Sequence, residues 1–544
     1  MLTGIGRQHV IITGHAGDGK STIALEVIKR LSNIALENPL NTQLLRRENI
    51  QIRDLRISVV KDFSEWSAEE RAQLLVEMLS PDSPRFFLVS NTGTLLDAFK
   101  AHEREYGGDP VQVESELLVK ISALGGDKFS FRQTSFSIFN IAMADNLSIA
   151  QQIFDRMLHA DRWKVCEIQE CRKCCPIFRN VTLMRTNQAV VRERLFLIYR
   201  RTYEYGYRLT LRQLSAHLAY MITSGLTFQD ILRMSERAQR PPMAEFMFFN
   251  RFFGDNGREI DYPALQLRAV RVAREQRFGV HSSPALERKL WHTGGKLPFQ
   301  LRAADPPDDF AALRSLGTSS DSIDAAAQAR DQVRRVLFFL HSFDQTDTGF
   351  LKIFLKSAMV LDFAHWQSQD NEALPLHETT SLHRRILHVL QEHFTGVRLP
   401  EGTPSDRHLF ITLSRRSHDV RQSAQIVLAR FPDDEFRVRL VGSNNLGAGK
   451  RRELILEGPS RTNKLTLQLS LPFLDYVMMR SHGEIGGTLQ SSFLDRLERF
   501  KGQLIREVGS RDTDDIMLVR LRTNNTFRRH VFSVRGDRLE VTDA

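Results

Sequence analysis

Residues 9–31, HVIITGHAGDGKSTIALEVIKRL, place a β-branched run, a glycine-rich turn and an amphipathic helical run in immediate succession. Within them, residues 14–21 read GHAGDGKS and match the pattern G-x-x-x-x-G-K-[ST] without a mismatch. Glycines allow a tight turn whose backbone N–H groups can close around phosphates, and the helix that follows directs the positive end of its dipole at the same anion. This order of elements predicts a phosphate-binding loop at the head of an α/β domain.

The residues of the loop have separate predicted roles. Lys20 is predicted to place a cation between the β- and γ-phosphates of a nucleoside triphosphate, and the Ser21 hydroxyl to be a ligand for Mg²⁺. The other residues predicted to contact the nucleotide are Gly14, His15, Ala16, Gly17, Asp18, Gly19 and Thr22. The sequence therefore predicts that the chain binds Mg·ATP, and a glycine-rich turn without a ligand is the alternative.

Strand-like and helical runs alternate from residue 9 to residue 100, with the loop after the first strand-like run. The strand-like runs lie at 9–13, 55–60 and 86–90, and the helical runs at 21–33, 69–79 and 94–100. Such alternation is typical of a parallel sheet with helices on its faces, whose ligands bind at the carboxyl ends of the strands. We predict an α/β NTPase core of this kind over residues 1–147, with helices on both faces and an AAA+-like helical lid.

The rest of the chain changes character twice. Residues 148–235 are predicted to contain a cysteine cluster and the helical lid, and residues 236–395 to form a mostly helical middle domain. Over residues 396–544 the hydrophobic period becomes two, with turn residues between the runs. This pattern predicts a largely antiparallel, β-rich domain, with one helix inside it at 493–505.

The charge balance bears on the partners of the chain. The 544 residues include 75 Lys and Arg against 65 Asp and Glu, a net charge of +10. An excess of this size favours DNA as a partner because phosphate contacts release counterions, although the basic residues are scattered and a solvated surface is the alternative. No apolar run approaches the length that spans a bilayer, and the first residues carry no export signal. We therefore expect a cytoplasmic protein with no membrane partner.

Acidic residues follow the second strand-like run. ATP hydrolysis needs a carboxylate on a neighbouring strand to hold Mg²⁺ and a group that orients the attacking water. Asp62 is the candidate for the metal-associated carboxylate and Glu65 for the group that polarises water. The alternative is that Asp62 only caps the next turn. Because Glu65 does not directly follow Asp62, a nucleotide-gated switch with little turnover is a rival to an ATPase.

Two further residues are candidates for contacts with the γ-phosphate. Asn91 ends the run 86–90 and is similar in position to the sensor asparagine of AAA+ ATPases. Its alternatives are a metal-binding strand in which Asn replaces Asp, and a simple strand-to-helix turn. Arg212, near the start of the helical run 208–225, resembles the arginine that the lid helix of AAA+ ATPases extends across the cleft. A solvated arginine is the alternative.

All four cysteines of the chain lie within ten residues, at Cys166, Cys171, Cys174 and Cys175. Without an export signal they are expected to be reduced, so the cluster predicts a metal site more than a disulfide framework. Cys171 and Cys174 form a C-x-x-C knuckle, with Cys166 as a third ligand and His159 as a candidate fourth. We predict a structural zinc site; an iron–sulfur cluster and a metal-free cluster are the alternatives.

Segments along most of the chain form a recognisable series. They are GDGKS (17–21), KDFSE (61–65), LVSNTGTL (88–95), CRKCCPI (171–177), LTLRQL (209–214), FFNRFFGDNG (248–257), ERKLW (287–291), LPFLDYVMMRSHGEI (471–485) and RLERFKGQL (496–504). The series resembles the ATPases of bacterial DNA phosphorothioation-dependent restriction, the DptF family, and more broadly AAA+ ATPases of anti-phage defence.

The resemblance implies an ATP-hydrolysing subunit of a DNA-directed restriction complex, acting with other subunits or with further copies of itself. It also implies a longer segment ahead of the loop in other members. The sequence contains no clustered D…ExK-type nuclease signature and no HNH-like pair, so the cleavage chemistry need not lie in this chain. Besides the nucleotide-gated switch, the rivals are a metabolite kinase and a basic DNA-binding protein whose phosphate-binding loop is vestigial.

Overall fold

The computed structural model shows an α/β part, a helical middle and a β-rich end, in the order that the hydrophobic periods predict. It describes residues 8–35, 38–39, 45–122, 127–236, 243–257, 259–280, 284–291, 301, 303–304, 307, 310–319, 322–344, 348–368, 374–396, 407–413, 424–442, 452–459, 465–482, 491–508, 515–521, 527–535 and 537–543.

The α/β part is built on one six-stranded sheet. Its elements are β1 (Gln8–Gly14), α1 (Lys20–Leu31), β2 (Arg47–Ile52), β3 (Leu55–Val60), α2 (Ala68–Leu79), β4 (Arg85–Asn91), α3 (Thr92–Glu105), α4 (Pro110–Ser122), β5 (Asp127–Phe131) and β6 (Thr134–Asn140). The strand order is β2-β3-β4-β1-β6-β5. Strand β1 pairs in parallel with β4 and β6, and β3 pairs in parallel with β4. The carboxyl ends of these four strands therefore meet at one edge.

The sheet is mixed rather than wholly parallel, which corrects the prediction from sequence. Strand β2 is antiparallel to β3, and β5 is antiparallel to β6. A two-residue turn joins the strands of each pair. Arg53 in the first turn and both Arg132 and Gln133 in the second have positive φ, between 47° and 66°. Connections this short can join only antiparallel neighbours, so a hairpin closes each edge of the parallel centre.

Alternate strand residues face two separate apolar cores. Ile11 and Leu88 belong to a core with α2, α3 and α4, whereas Val10 belongs to a core with Ile28 of α1. This follows from the strand period of two. Helices therefore lie on both faces of the sheet, and α1 begins at the edge where the parallel strands end.

The middle of the chain is helical, as predicted. Its helices are α5 (Leu147–Met157), α6 (Lys164–Glu167), α7 (Pro176–Thr186), α8 (Gln188–Glu204), α9 (Leu211–Thr223), α10 (Phe228–Glu236), α11 (Phe248–Arg251), α12 (Arg268–Glu275), α13 (Pro284–Trp291), α14 (Phe310–Ser319), α15 (Ile323–Leu340), α16 (Gly349–Phe354), α17 (Val360–Ser368) and α18 (Leu376–Thr395). No helix among the described residues has the length and apolarity needed to cross a lipid bilayer.

The last part of the chain is β-rich and antiparallel. Its elements are β7 (His408–Thr412), β8 (Gln425–Pro432), β9 (Arg437–Gly442), β10 (Arg452–Glu457), β11 (Thr466–Gln468), α19 (Leu471–Ser481), α20 (Ser491–Val508), β12 (Ile516–Leu521), β13 (Phe527–Arg535) and β14 (Arg538–Asp543). Two sheets form, with strand orders β11-β10-β9 and β14-β13-β12-β8-β7. The predicted helix at 493–505 lies within α20. Helix α19 was not predicted, because the alternating run before it continues to Leu471; Pro472 in its first turn favours a helix start.

One continuous apolar core joins the helical middle to the β-rich part. Its buried side chains extend along the chain from Leu147 to Leu504 and include Phe339 of α15 and Leu474 of α19. The predicted boundaries at 235 and 395 fall within this span. These two boundaries therefore stay predictions. The α/β sheet, in contrast, has the two separate cores described above.

Candidate nucleotide-binding site

The glycine-rich loop connects β1 to α1 at the edge of the sheet where the parallel strands end. Gly17 and Gly19 have φ values of 91° and 94°, in the left-handed region that residues with a Cβ rarely adopt. A Cβ atom on Gly17 would lie 2.9 Å from the Cβ of Arg212. Glycine at position 17 therefore permits both the turn and the close approach of α9.

Lys20 is the first residue of α1, and its side chain turns back into the loop. Its Nζ donates hydrogen bonds to the carbonyl oxygens of Gly14 (3.0 Å) and His15 (2.8 Å) and to Oδ1 of Asn91 (2.8 Å). An ammonium group has three donors, so all three are used. A phosphate could bind Lys20 only by replacing some of these acceptors.

Lys20 is only 6% exposed, and its environment is electrostatically mixed. Burial lowers the pKa of Lys20; the negative charges of Asp62 and Asp18 oppose this shift, and the positive charge of Arg212 adds to it. The structure therefore brings Asp62 and Arg212, two residues singled out from sequence, close enough to Lys20 for their charges to act on it.

The N-terminus of α1 has backbone donors that no side chain caps. Its N-cap residue is Gly19, and the first hydrogen bond at this end of the helix runs from Ile23 N to Gly19 O (3.1 Å). Ser21 and Thr22 are exposed in the first turn, and neither hydroxyl bonds to a described residue. Free N–H groups, the helix dipole, a buried ammonium and an exposed hydroxyl together fit a triphosphate with Mg²⁺.

The acidic candidates lie after β3. One carboxylate oxygen of Asp62 accepts a hydrogen bond from the backbone N of Ser64 (2.9 Å), so Asp62 does cap the 3₁₀ turn Phe63–Glu65. Its charge nevertheless acts on Lys20. Glu65 is exposed, and its carboxylate has no hydrogen bond or ion pair with another described residue. The charge of Asp62 therefore acts on Lys20 of the loop, whereas Glu65 is not among the residues whose charges act on it.

Asn91 is the last residue of β4, the strand between β1 and β3. Its side-chain oxygen accepts from Lys20, and its backbone N donates to Oγ of Ser64 (3.3 Å). The end of β4 is therefore tied both to the loop and to the turn after Asp62. Asn91 is also the N-cap residue of α3, so the strand-to-helix turn is observed, while the sensor role and a metal-binding strand with Asn in place of Asp stay predictions.

Helix α9 begins against the loop. Thr210 caps it through a capping box with Gln213, and the backbone N of Arg212 donates to the carbonyl oxygen of Gly17 (3.0 Å). The guanidinium of Arg212 is exposed and has no hydrogen bond or ion pair with another described residue. Arg212 lies beside the loop, where a γ-phosphate contact would require it.

An ion pair between Asp18 and Arg208, which was not predicted from the sequence, also holds the loop. Nη1 of Arg208 lies 3.1 Å from both carboxylate oxygens of Asp18, whose side chain is 2% exposed. Oδ2 of Asp18 also accepts from the backbone N of His15 (3.2 Å). The two charged residues are 190 positions apart, and no local pattern marks such a pair.

The four cysteines lie in three short elements. Cys166 is in α6, Cys171 and Cys174 are in the 3₁₀ turn Glu170–Cys174, and Cys175 caps α7 through a hydrogen bond from Phe178 N to its Sγ (3.4 Å). All four thiols are free, and burial raises the pKa of Cys166 and of Cys175.

Cys166, Cys171 and Cys175 lie close enough for their charges to act on one another, but the cysteines do not form a metal-binding group. No group of three or more His, Cys, Asp or Glu side chains in the described part of the chain is placed to hold a metal ion. The candidate fourth ligand, His159, lies instead 3.4 Å from a carboxylate oxygen of Asp161. A structural zinc at this cluster stays a prediction.

Compared with known protein families, with curated proteins and with solved structures, the chain matches none of them.

Proposed function

We propose that the chain binds Mg·ATP at Gly14–Ser21 and hydrolyses it, in an AAA+-like phosphate-binding-loop fold. One observation carries the proposal: a buried lysine ammonium lies at the uncapped N-terminus of a helix, at the carboxyl edge of parallel strands. Anions bind at helix N-termini of this kind, and ligands of such sheets bind at this edge.

The residues around the loop have distinct roles in this proposal. Lys20 exchanges its carbonyl acceptors for β- and γ-phosphate oxygens, and the backbone donors of α1 contact the same phosphates. Ser21 and Asp62 hold Mg²⁺, which neutralises charge on the β- and γ-phosphates. Asn91, which bonds to Lys20, and Arg212, which lies beside Gly17, contact the γ-phosphate.

A nucleotide-gated switch with little turnover is the second candidate. It is favoured by the exposure of Glu65 and by the hydrogen bond that engages Asp62 with Ser64. Without a carboxylate at the attacking water, the same site would bind ATP and change conformation but hydrolyse it slowly. Binding and turnover must therefore be measured separately.

The proposed partners are DNA and other subunits of a restriction or anti-phage complex, together with further copies of the chain. The net charge of +10 supports DNA, and the resemblance to the DptF family supports the complex. A structural zinc at the cysteine cluster belongs to the same proposal, and elemental analysis of the purified protein tests it.

Lys20→Ala is the decisive variant, and Arg30→Ala is its control at the opposite end of α1. The Arg30 side chain is 68% exposed and, among the described residues, pairs only with Glu26 of its own helix. Removing one member of a buried charged contact costs about 2–5 kcal/mol, so Lys20→Ala should weaken binding of a fluorescent ATP analogue with Mg²⁺ by about 30-fold or more. Arg30→Ala should bind as the wild type does.

ATP turnover is measured on the same samples, without DNA and with duplex or single-stranded DNA. Turnover that Lys20→Ala abolishes supports the ATPase. Tight binding with negligible turnover under all three conditions favours the switch. If the folded wild-type protein binds no nucleotide, or if Lys20→Ala binds it equally well, the proposed site is wrong.

A further inference from the structure

We infer that the connection between α8 and α9, residues 205–210, couples the phosphate-binding loop to helix α19 in the β-rich part of the chain. The inference rests on the proposed function, because it requires nucleotide to change the loop. It adds a path by which the loop would regulate a distant part of the molecule.

One end of this connection is attached to the loop. Arg208 pairs with both carboxylate oxygens of Asp18, and its Nη2 lies 3.4 Å from the carbonyl oxygen of Ile141. Just beyond the connection, the backbone N of Arg212 donates to Gly17 O. The adjacent loop positions 17 and 18 are therefore held by the start of α9 and by the connection, respectively.

The other end of the connection is attached to α19. The hydroxyl of Tyr205 donates to Oδ2 of Asp475 (2.7 Å), and Asp475 also accepts from Oγ of Ser357 (2.7 Å) and from the backbone N of Met359 (2.9 Å). The guanidinium of Arg201 lies 3.4 Å from the centre of the Tyr205 ring and packs the ring in place. Tyr205 thus joins the end of α8 to α19 and to the segment ahead of α17.

The connection is short and its backbone is tied to the end of α8. The backbone N atoms of Tyr205, Gly206 and Tyr207 donate to Arg201 O (3.2 Å), Tyr203 O (3.0 Å) and Thr202 O (3.1 Å). Only two residues, Gly206 and Tyr207, separate Tyr205 from Arg208. A displacement of Arg208 is therefore passed to Tyr205 and α8 rather than absorbed by a long loop.

Nucleotide binding must disturb the loop end of this path. Lys20 donates to His15 O, while His15 N donates to Asp18, so an exchange of carbonyl for phosphate at Lys20 releases His15 and changes the surroundings of Asp18. The phosphates also add negative charge, which attracts the Arg208 guanidinium and repels the Asp18 carboxylate. The Asp18–Arg208 pair is thus the contact that senses the occupied loop.

Amide hydrogen exchange of the full-length protein tests this coupling. The probe is a non-hydrolysable ATP analogue with Mg²⁺, and the readout is the exchange rate of the peptide that covers Leu471–Ser481. In the wild type the analogue should change this rate about fivefold or more, the lower end of typical coupling factors. Tyr205→Phe, which removes the hydroxyl that bonds Asp475, should still bind the analogue but lose the change in α19.

Tyr207→Phe is the matched control. It makes the same chemical change in the same connection. Tyr207 is 37% exposed and its hydroxyl has no hydrogen bond to a described residue, so the variant should retain the α19 response. If the analogue binds and α19 exchange does not change in the wild type, or if Tyr205→Phe retains the full response, the coupling is wrong while the proposed nucleotide site stands. If the analogue does not bind at all, both proposals fail.

Discussion

At the level of single residues, the loop shows which positions of the motif depend on distant partners. Lys20 and Ser21 were predicted from the local pattern alone. The partners of Lys20 were not: two are loop carbonyls, and the third is Asn91 on another strand. A motif specifies residue types and spacing, whereas acceptors from other elements depend on the order of strands in the sheet.

Gly17→Ala tests the close approach of α9 to the loop. The left-handed φ at this position costs about 1 kcal/mol for alanine, and the new Cβ would also press on the Cβ of Arg212. We expect the free energy of unfolding to fall by about 1–3 kcal/mol in urea titrations and affinity for ATP to fall with it.

Gly93→Ala is the control for that substitution. Gly93 is in the first turn of α3, has no positive φ, and has open space where a Cβ would lie. Alanine there should raise the free energy of unfolding by about 0.4–1 kcal/mol. Equal effects of the two substitutions would show that the contact with Arg212 does not constrain the loop.

At the level of elements, periodicity predicted most strands and the helices α1, α2, α3, α9 and α20 near their observed positions. Strands β2, β5, β6 and β14 were missed. β2 and β5 are short edge strands that tight turns join to their neighbours, and none of RENIQI, DKFSF, TSFSIFN and RLEVTD has a long apolar run. The start of α9 could have been predicted more closely, because Thr210 and Gln213 have the spacing of a capping box.

Two capping boxes allow the effect of a lost helix cap on stability to be distinguished from its effect on ATP binding. Thr210 caps α9 beside the loop, and Ser67 caps α2 in the same way with Glu70. Replacing either cap by alanine should lower the free energy of unfolding by about 1 kcal/mol. Only Thr210→Ala should also weaken ATP binding, because the Thr210 hydroxyl packs against Gly17 of the loop. A Cβ atom added to Gly17 would lie only 3.1 Å from Thr210 Oγ1.

Urea denaturation and titration with a fluorescent ATP analogue measure the two quantities on the same variants. Equal loss of affinity in Ser67→Ala and Thr210→Ala would mean that nucleotide binding follows global stability and not the local fit of α9 to the loop.

At the level of the whole molecule, the continuous core makes the helical and β-rich parts depend on each other. His217 of α9 is fully buried in this region, with Nδ1 2.8 Å from the Tyr199 hydroxyl and Nε2 2.9 Å from the carbonyl oxygen of Phe252. The arrangement suits a neutral ring that donates from Nε2 and accepts at Nδ1. Burial lowers the pKa of His217 to about 4.

This shift predicts acid sensitivity of the fold. Below about pH 6.5 the unfolded imidazole takes up a proton that the folded one does not bind until about pH 4, so stability should fall across this window and level off below it. The contribution of His217 is about 3 kcal/mol at most. Urea denaturation at pH 7 and pH 4.5 measures the loss, which should be smaller in His217→Gln.

His377→Gln is the control for that experiment. The His377 side chain is 82% exposed on α18, so its replacement should leave the pH dependence of unfolding as it is in the wild type. An unchanged pH dependence in His217→Gln would contradict a neutral, buried His217.

The sequence alone was enough to predict the glycine-rich loop between a strand and a helix, the class of each part of the chain and most of its strands. These features depend on residues that are neighbours in the chain, so hydrophobic periods and turn residues are enough to predict them. Three other features became apparent only in the folded chain: β4 separates the Asp62 strand from β1, Asp18 pairs with Arg208, and the Tyr205 hydroxyl bonds to Asp475. Such contacts join residues far apart in the chain, and they form only when packing of the sheet and the core has brought their elements together.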